Sequence, residues 1–250
     1  MIGFSEDMRY VVTGAGSGIG KAIAMQLLEL GATVIGIGRN ESKLIPMKEQ
    51  FANFHYRINN LSENIDEIPK LIDGIVNDFG KLSGMALCAG IQETKPISVA
   101  KYENAKALFD TNYFSNMMLI KGFAKKVNFI PSVASIIAIS SVTTHLGVPG
   151  ISNYSASKAA MNSLVKSLSM ELAKNGIRLN SISPGHILTE MITKSPFYSE
   201  SYVQSLEQRY PLGLGKPEDV ANLAMFLLSD KSTWITGTDY IIDGGLSINF

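Results

Sequence analysis

Four glycines, Gly14, Gly16, Gly18 and Gly20, stand between a short apolar run at 10–13 and a stretch with apolar residues at Ile19, Ile23, Leu27 and Leu30. The run has the length and β-branching of a strand, and the stretch has the 3.6-residue spacing of an amphipathic helix. Glycine lets the backbone turn tightly and lets another group approach without a Cβ in the way. The helix that follows aims its unpaired N–H groups at whatever sits in the turn, which suits a phosphate. The spacing Gly14–x3–Gly18–x–Gly20 is not the generic dinucleotide fingerprint. The reading rests on its context, a strand before and a helix after.

The same alternation continues along the chain. Strand-length runs at 10–13, 33–38, 54–58, 85–89, 134–140, 177–182 and 239–242 are interleaved with helical stretches at 18–30, 40–50, 65–78, 99–126, 154–175 and 217–228. Gly31 reads as a helix stop, Pro46 as an interruption of the second helix, and the 99–126 stretch is long enough to carry a break. Repeated strand–helix alternation argues for parallel strands with right-handed crossovers and helices on both faces. The expected fold class is therefore α/β, a single doubly wound parallel sheet of Rossmann type over residues 1–250. No linker, repeat or low-complexity run divides it. The irregular stretch at 185–214, rich in Ser, Tyr and Pro, is where a substrate lid over 186–214 is expected.

Composition removes several functions. Lys+Arg and Asp+Glu are equal at 22 each, so the chain offers no basic surplus for nucleic acid or an anionic membrane. Cys88 is the only cysteine, which precludes an internal disulfide and fits a reducing compartment. Three scattered His with one Cys make no metal cluster. The first residues, Met-Ile-Gly-Phe-Ser-Glu-Asp, lack the basic and apolar regions of a secretory signal. The apolar runs are too short to span a bilayer. The expectation is a cytoplasmic protein with neither a nucleic-acid nor a membrane partner.

Tyr154 and Lys158, in Tyr-Ser-Ala-Ser-Lys, are four apart and share a helix face. An ammonium beneath a phenol stabilises the phenolate, so the Tyr154 pKa is expected to fall from its ordinary value near ~10. A phenol tuned in this way exchanges a proton near neutral pH. With a nucleotide-binding turn, it points to hydride chemistry on an alcohol or carbonyl. About twenty residues past such a turn, an acid would bind a ribose 2′-hydroxyl, whereas an arginine receives a 2′-phosphate. That position is Gly38, followed by Arg39, which favours NADP(H) over NAD(H). Ser17 supplies no second cation from the turn.

From about Arg9 to Gly245 these residues resemble the classical short-chain dehydrogenase/reductase family. Residues 13–20 match its T-G-x-x-x-G-x-G turn, and Tyr154-x3-Lys158 its Y-x-x-x-K. Cys88-Ala89-Gly90 stands where the family has N-A-G, and Asn112 where it has an active-site asparagine. Pro184-Gly185, Thr236-Gly237 and Asp243-Gly244-Gly245 match later motifs. The resemblance implies a catalytic tetrad of Asn112, Ser141, Tyr154 and Lys158, with Ser141 chosen over Ser140 because it lies thirteen residues before the tyrosine. By the same resemblance Tyr154 is the acid/base and Ser141 holds the substrate oxygen. Lys158 binds the nicotinamide ribose and lowers the Tyr154 pKa, and Asn112 holds a water in a relay to Lys158.

The resemblance also implies cofactor contacts. These come from Gly14, Gly16, Ser17, Gly18, Ile19 and Gly20 in the turn, and from Arg39 and Asn40 after the second strand. Asn60, Leu61, Cys88, Ala89 and Gly90 supply more, as do Tyr154 and Lys158 and, near the nicotinamide, Pro184, Gly185, Ile187 and Thr189. Asn60 replaces an aspartate that reads the adenine amino group, and its side-chain oxygen can still accept that bond. Cys88 reads as a small packing residue rather than a reactive thiol.

The implied function is NADP(H)-dependent oxidation or reduction of a small carbonyl or alcohol, of 3-oxoacyl-reductase or keto-sugar/alcohol dehydrogenase type. The implied assembly is a homotetramer or homodimer. A catalytically vestigial NADP-binding regulator is the alternative, and the complete tetrad argues against it. A sugar-nucleotide epimerase is expected to need a larger C-terminal region. His145 and His186 fall near the expected mouth, and Phe197, Tyr198 and Tyr202 in the lid would stack on a ring or pack. Met161, Leu164, Val165, Leu168 and Leu172 form an apolar face that suits a core or an interface.

Overall fold

The computed structural model describes the backbone of residues 3–189 and 200–249, with side chains for all of these except 200–202. Seven strands form one parallel sheet: β1 (Arg9–Thr13), β2 (Thr33–Gly38), β3 (Phe54–Ile58), β4 (Gly84–Leu87), β5 (Ser135–Ile139), β6 (Arg178–Pro184) and β7 (Asp239–Ile242). Their order is β3-β2-β1-β4-β5-β6-β7. The central strands read as apolar runs because both of their faces are covered, and all five residues of β5 are buried.

Two cores sandwich the sheet. On one face lie α1 (Gly18–Glu29), α2 (Ile45–Gln50) and α8 (Pro217–Leu228), contributing Ile23, Leu27, Met47, Val220 and Leu228. On the other lie α3 (Ile68–Phe79), α5 (Ser115–Phe123) and α6 (Ser152–Leu172), contributing Ile72, Ile75, Phe123, Met161 and Val165. The apolar face of α6 therefore serves the core: Met161, Val165 and Leu172 are buried in it, and Leu164 and Leu168 pack at its edge.

Helix ends follow local chemistry. Gly31, at φ +91°, closes α1: the Gly31 N–H donates to Leu28 and that of Ala32 to Leu27. Pro46 does not interrupt a helix, contrary to expectation. It sits in the first turn of α2, where a missing N–H is harmless, and Pro69 does the same for α3. The 99–126 stretch is helical over α4 (Tyr102–Phe109) and α5, joined by a π-helical turn at Asp110–Phe114. The segment expected to be irregular contains a helix, α7 (Glu200–Glu207). Lid residues Phe197 and Tyr198, and the side chain of Tyr202, lie outside the described residues.

The β4–β5 seam is tight. A Cβ on Gly84 would lie 2.3 Å from the Ser135 carbonyl oxygen and 2.9 Å from the Tyr10 ring. Overpacking of this kind destabilises by about 1–3 kcal/mol. Gly84→Ala is expected to lower the urea midpoint by a corresponding amount with an unchanged denaturant slope, as read by circular dichroism.

Candidate active site

The strand order reverses between β1 and β4, and parallel sheets open a crevice at such a point. Thr13 at the end of β1 spans it. Its Oγ1 accepts the backbone N–H groups of both Cys88 and Ala89, at 2.9 Å each. The glycine turn folds over this edge. Gly14, at φ +68°, lies so near β4 that a Cβ would come within 3.2 Å of the Ala89 nitrogen. A Cβ on Gly20 would lie 2.4 Å from the Gly14 oxygen. Ser17 is the N-cap of α1, so the first-turn N–H groups face the crevice. Across from Gly18, the methyl of Thr189 closes the other side.

The resulting cleft has a volume of about 520 Å³. Every expected cofactor contact lines it: the turn, Arg39 and Asn40, Asn60 and Leu61, Cys88 to Gly90, Tyr154 and Lys158, and Pro184, Gly185, Ile187 and Thr189. A glycine cradle that a Cβ would fill, set before a helix N-terminus, fits a dinucleotide pyrophosphate.

The adenosine end differs in detail from the sequence reading. Asn60 Oδ1, expected to read adenine, is engaged in its own turn by the Ser62 hydroxyl at 2.9 Å and the Ser62 N–H at 3.4 Å. Asn59, in the same wall, has a buried Oδ1 with no hydrogen-bond partner among the described residues. Asn40 Oδ1 likewise accepts from the Ser42 N–H and hydroxyl. Lys43 lines the cleft with Arg39, and its Cβ packs where a Cβ on Gly16 would come within 2.9 Å. Sequence reasoning missed Lys43 because it lies off the motif spacing. The available signal was a second cation just after the strand bearing Arg39.

Ser141, Tyr154 and Lys158 line the other end of the cleft. Ser141 follows β5, and its hydroxyl caps the 3₁₀ turn Val142–Thr144 by accepting the Thr143 N–H at 3.2 Å. It also lies close enough to the Tyr154 phenol to draw that group's pKa down. Lys158 is buried; its Nζ donates to the Ile139 carbonyl at 2.7 Å and lies 5.9 Å from the centre of the Tyr154 ring.

The expected lowering of the Tyr154 pKa is not found. Burial pushes the phenol up, opposed only by the Ser141 hydrogen bond. Lys158 donates to the Ile139 carbonyl, and its own pKa is lowered by burial to about 8. Burial also pushes the Cys88 thiol up to about 12, against the pull of Lys158, which makes it an inert neutral group at neutral pH.

Asn112 stands behind the cleft. It is fully buried at the π turn, accepts the Ile91 N–H at 2.9 Å, and donates to the Ile91 carbonyl at 2.9 Å and the Ser157 hydroxyl at 3.0 Å. Its own carbonyl accepts from Asn116 at 2.9 Å. Asn112 thus joins the loop after β4 to α6 between Tyr154 and Lys158. A Cβ on Gly90 would come within 3.1 Å of Asn112 Oδ1 and 3.3 Å of Lys158 Nζ, so glycine is what lets these groups close up.

Neither predicted histidine lines the cleft. His186 Nδ1 lies 3.1 Å from the Tyr210 hydroxyl, and His145 pairs with Asp239. The described residues include no group of three or more His, Cys, Asp or Glu able to hold a metal ion. No described helix is long and apolar enough to cross a membrane.

Known proteins are similar to this chain in sequence and in fold. A family model described as enoyl-(acyl carrier protein) reductase matches residues 14–247. The 3-oxoacyl-[acyl-carrier-protein] reductase FabG of Thermotoga maritima is 33% identical over 246 residues, covering 95% of this chain and 97% of that protein. The L-rhamnose 1-dehydrogenase (NADP(+)) of Thermoplasma acidophilum is 32% identical over 250 residues, 96% of each chain. A solved short-chain type dehydrogenase/reductase from Mycobacterium ulcerans superposes with a TM-score of 0.87 at 32% identity, over 98% of this chain and 91% of that one.

The buried ammonium has a measurable consequence. The Lys158 pKa of about 8 lies below its ordinary 10.5, so between those values the unfolded chain binds the proton more tightly. Native stability contributed by this group therefore rises with pH across that window, and the full penalty, on the order of 3 kcal/mol, is present below pH 8. Lys158→Met is expected to unfold at a higher temperature than the parent at pH 7 without cofactor. The gap should shrink by pH 10 in differential scanning calorimetry.

Proposed function

Because this chain belongs to the short-chain dehydrogenase/reductase family, we propose that it carries out that family's oxidoreduction through Tyr154, Ser141 and Lys158, with NADP(H) preferred over NAD(H). The enzyme is an oxidoreductase that interconverts a carbonyl and a secondary alcohol. The convergence of those three side chains at one end of the glycine-lined cleft carries the reading.

Nicotinamide, when bound, supplies or accepts the hydride. Tyr154 donates the proton that the reduced carbonyl oxygen takes up, or removes it from the alcohol in the reverse direction. The Ser141 hydroxyl, which faces the phenol in the same end of the cleft, orients the substrate oxygen. Lys158 would hold the ribose of a bound cofactor, its ammonium lying one helical turn from the phenol that burial keeps neutral. Asn112 acts as an anchor for α6. The glycine turn and the first turn of α1 hold the pyrophosphate.

Arg39 and Lys43 flank the adenosine end, two cations for a 2′-phosphate. Asn59 offers a buried acceptor for the adenine amino group in place of Asn60. The substrate is a 3-oxoacyl thioester or a keto-sugar or sugar alcohol, with residues 186–214 covering it. A cytoplasmic homotetramer or homodimer completes the reading.

A panel of carbonyls, scored in parallel by NADPH and NADH oxidation, tests activity, cofactor and substrate class together. Tyr154→Phe is expected to retain NADPH binding while kcat falls by roughly 10²–10⁴-fold. Near-normal turnover would remove Tyr154 from the mechanism. Arg39→Ala with Lys43→Ala is expected to weaken NADPH binding by at least about tenfold while NADH binding stays unchanged, as read by nucleotide fluorescence titration.

A further inference from the structure

Asp239 opens β7, and its side chain is 8% exposed. Four donors converge on its carboxylate. The Ser181 and Ser183 hydroxyls of β6 approach Oδ1 at 2.8 and 2.9 Å. The Asn162 amide of α6 donates to Oδ2 at 2.9 Å, and His145 Nε2 lies 2.7 Å from the same oxygen. A carboxylate this enclosed is expensive to bury unless such partners are held in place.

The donors come from the three segments that bear the proposed chemistry. Asn162 stands one helical turn beyond Lys158. Ser183 directly precedes Pro184-Gly185, which line the cleft. His145 ends the 3₁₀ turn that Ser141 caps. A second thread runs the same way: Asn162 donates to Thr144 Oγ1 at 3.2 Å, and that hydroxyl donates to the Ser141 carbonyl at 2.9 Å. The Ser141 turn is thus held to α6 and to the sheet edge through one carboxylate.

We propose that Asp239 and His145 are positioning residues that clamp the Ser141 turn, fixing the Ser141 hydroxyl against Tyr154. The proposal rests on the assignment of Ser141 and Tyr154 to the reaction. Its geometric part stands independently of turnover. His145 supplies the link from the turn, and Asp239 gathers it with α6 and β6.

Two measurements test it. In hydrogen–deuterium exchange on the cofactor-free protein, His145→Ala and Asp239→Asn should each speed exchange in peptides covering residues 142–146 by about tenfold, with β4 and α3 unaffected. Unchanged exchange there overturns the clamp whether or not a substrate is in hand. In turnover, His145→Ala should lower kcat about tenfold or more while the NADPH dissociation constant stays within twofold. His145→Gln, which returns a donor near the Nε2 position, should recover most of the loss. The double variant should be no worse than the poorer single one, as for residues acting as a unit. A parallel fall in kcat, cofactor affinity and melting temperature without rescue by Gln would mean a general structural role and refute positioning. If Tyr154→Phe retains full turnover while the exchange changes appear, the clamp stands and the reaction assignment fails. If Tyr154→Phe is dead and His145→Ala is normal in both measurements, only the clamp fails.

Discussion

The site depends on how two neighbouring strands part. β1 and β4 pair in parallel along the sheet, but the chain leaves them in opposite directions across the sheet order. Their ends would splay freely without a tie. One hydroxyl supplies it: Thr13 Oγ1 takes the N–H groups of Cys88 and Ala89 just where the ladder stops. Two backbone donors that face a widening gap are thereby satisfied. The glycine turn can then rest on Ala89, and Gly90 can approach Asn112 and Lys158. Both the glycine turn and the Tyr154–Lys158 end of the cleft are built outward from that tie.

Electrostatics at the reacting end are set by burial more than by charge pairing. A phenol and an ammonium one helical turn apart suggest mutual stabilisation. In the structure the ammonium turns to a main-chain oxygen, and each group is driven toward its neutral form. Burial therefore favours the neutral form of both groups. This departs from local economy of the kind expected where function, not stability, decides the residue.

Much of the architecture was legible in the sequence because buried parallel strands are continuous apolar runs. All seven strands fall within two residues of the ends read from those runs. Gly31 was legible because one glycine with a positive φ is a local requirement. What escaped depends on partners far away in the chain. Pro46 reads as a breaker until the turn that starts α2 is known. α7 has few apolar residues and lies in a stretch rich in Ser, Tyr and Pro, so it reads as irregular. The cleft residues were readable as a set through their order, yet their local bonding was not. Asn60 folds back on Ser62, Asn59 is left unsatisfied, and Lys43 slots against Gly16. The direction of the Tyr154 shift was hidden for the same reason, since it is set by how deeply the fold buries the phenol.

The carboxylate of Asp239 belongs to the strand that joins the sheet latest in chain order, at its outer edge. A nascent polypeptide leaving the ribosome can assemble the six preceding strands and most of both cores before that strand emerges. Until then its Ser141 segment would be held to α6 through Thr144 and Asn162 alone. On the proposed clamp, vectorial synthesis thus separates a nearly complete sheet from the last tie on the Ser141 turn.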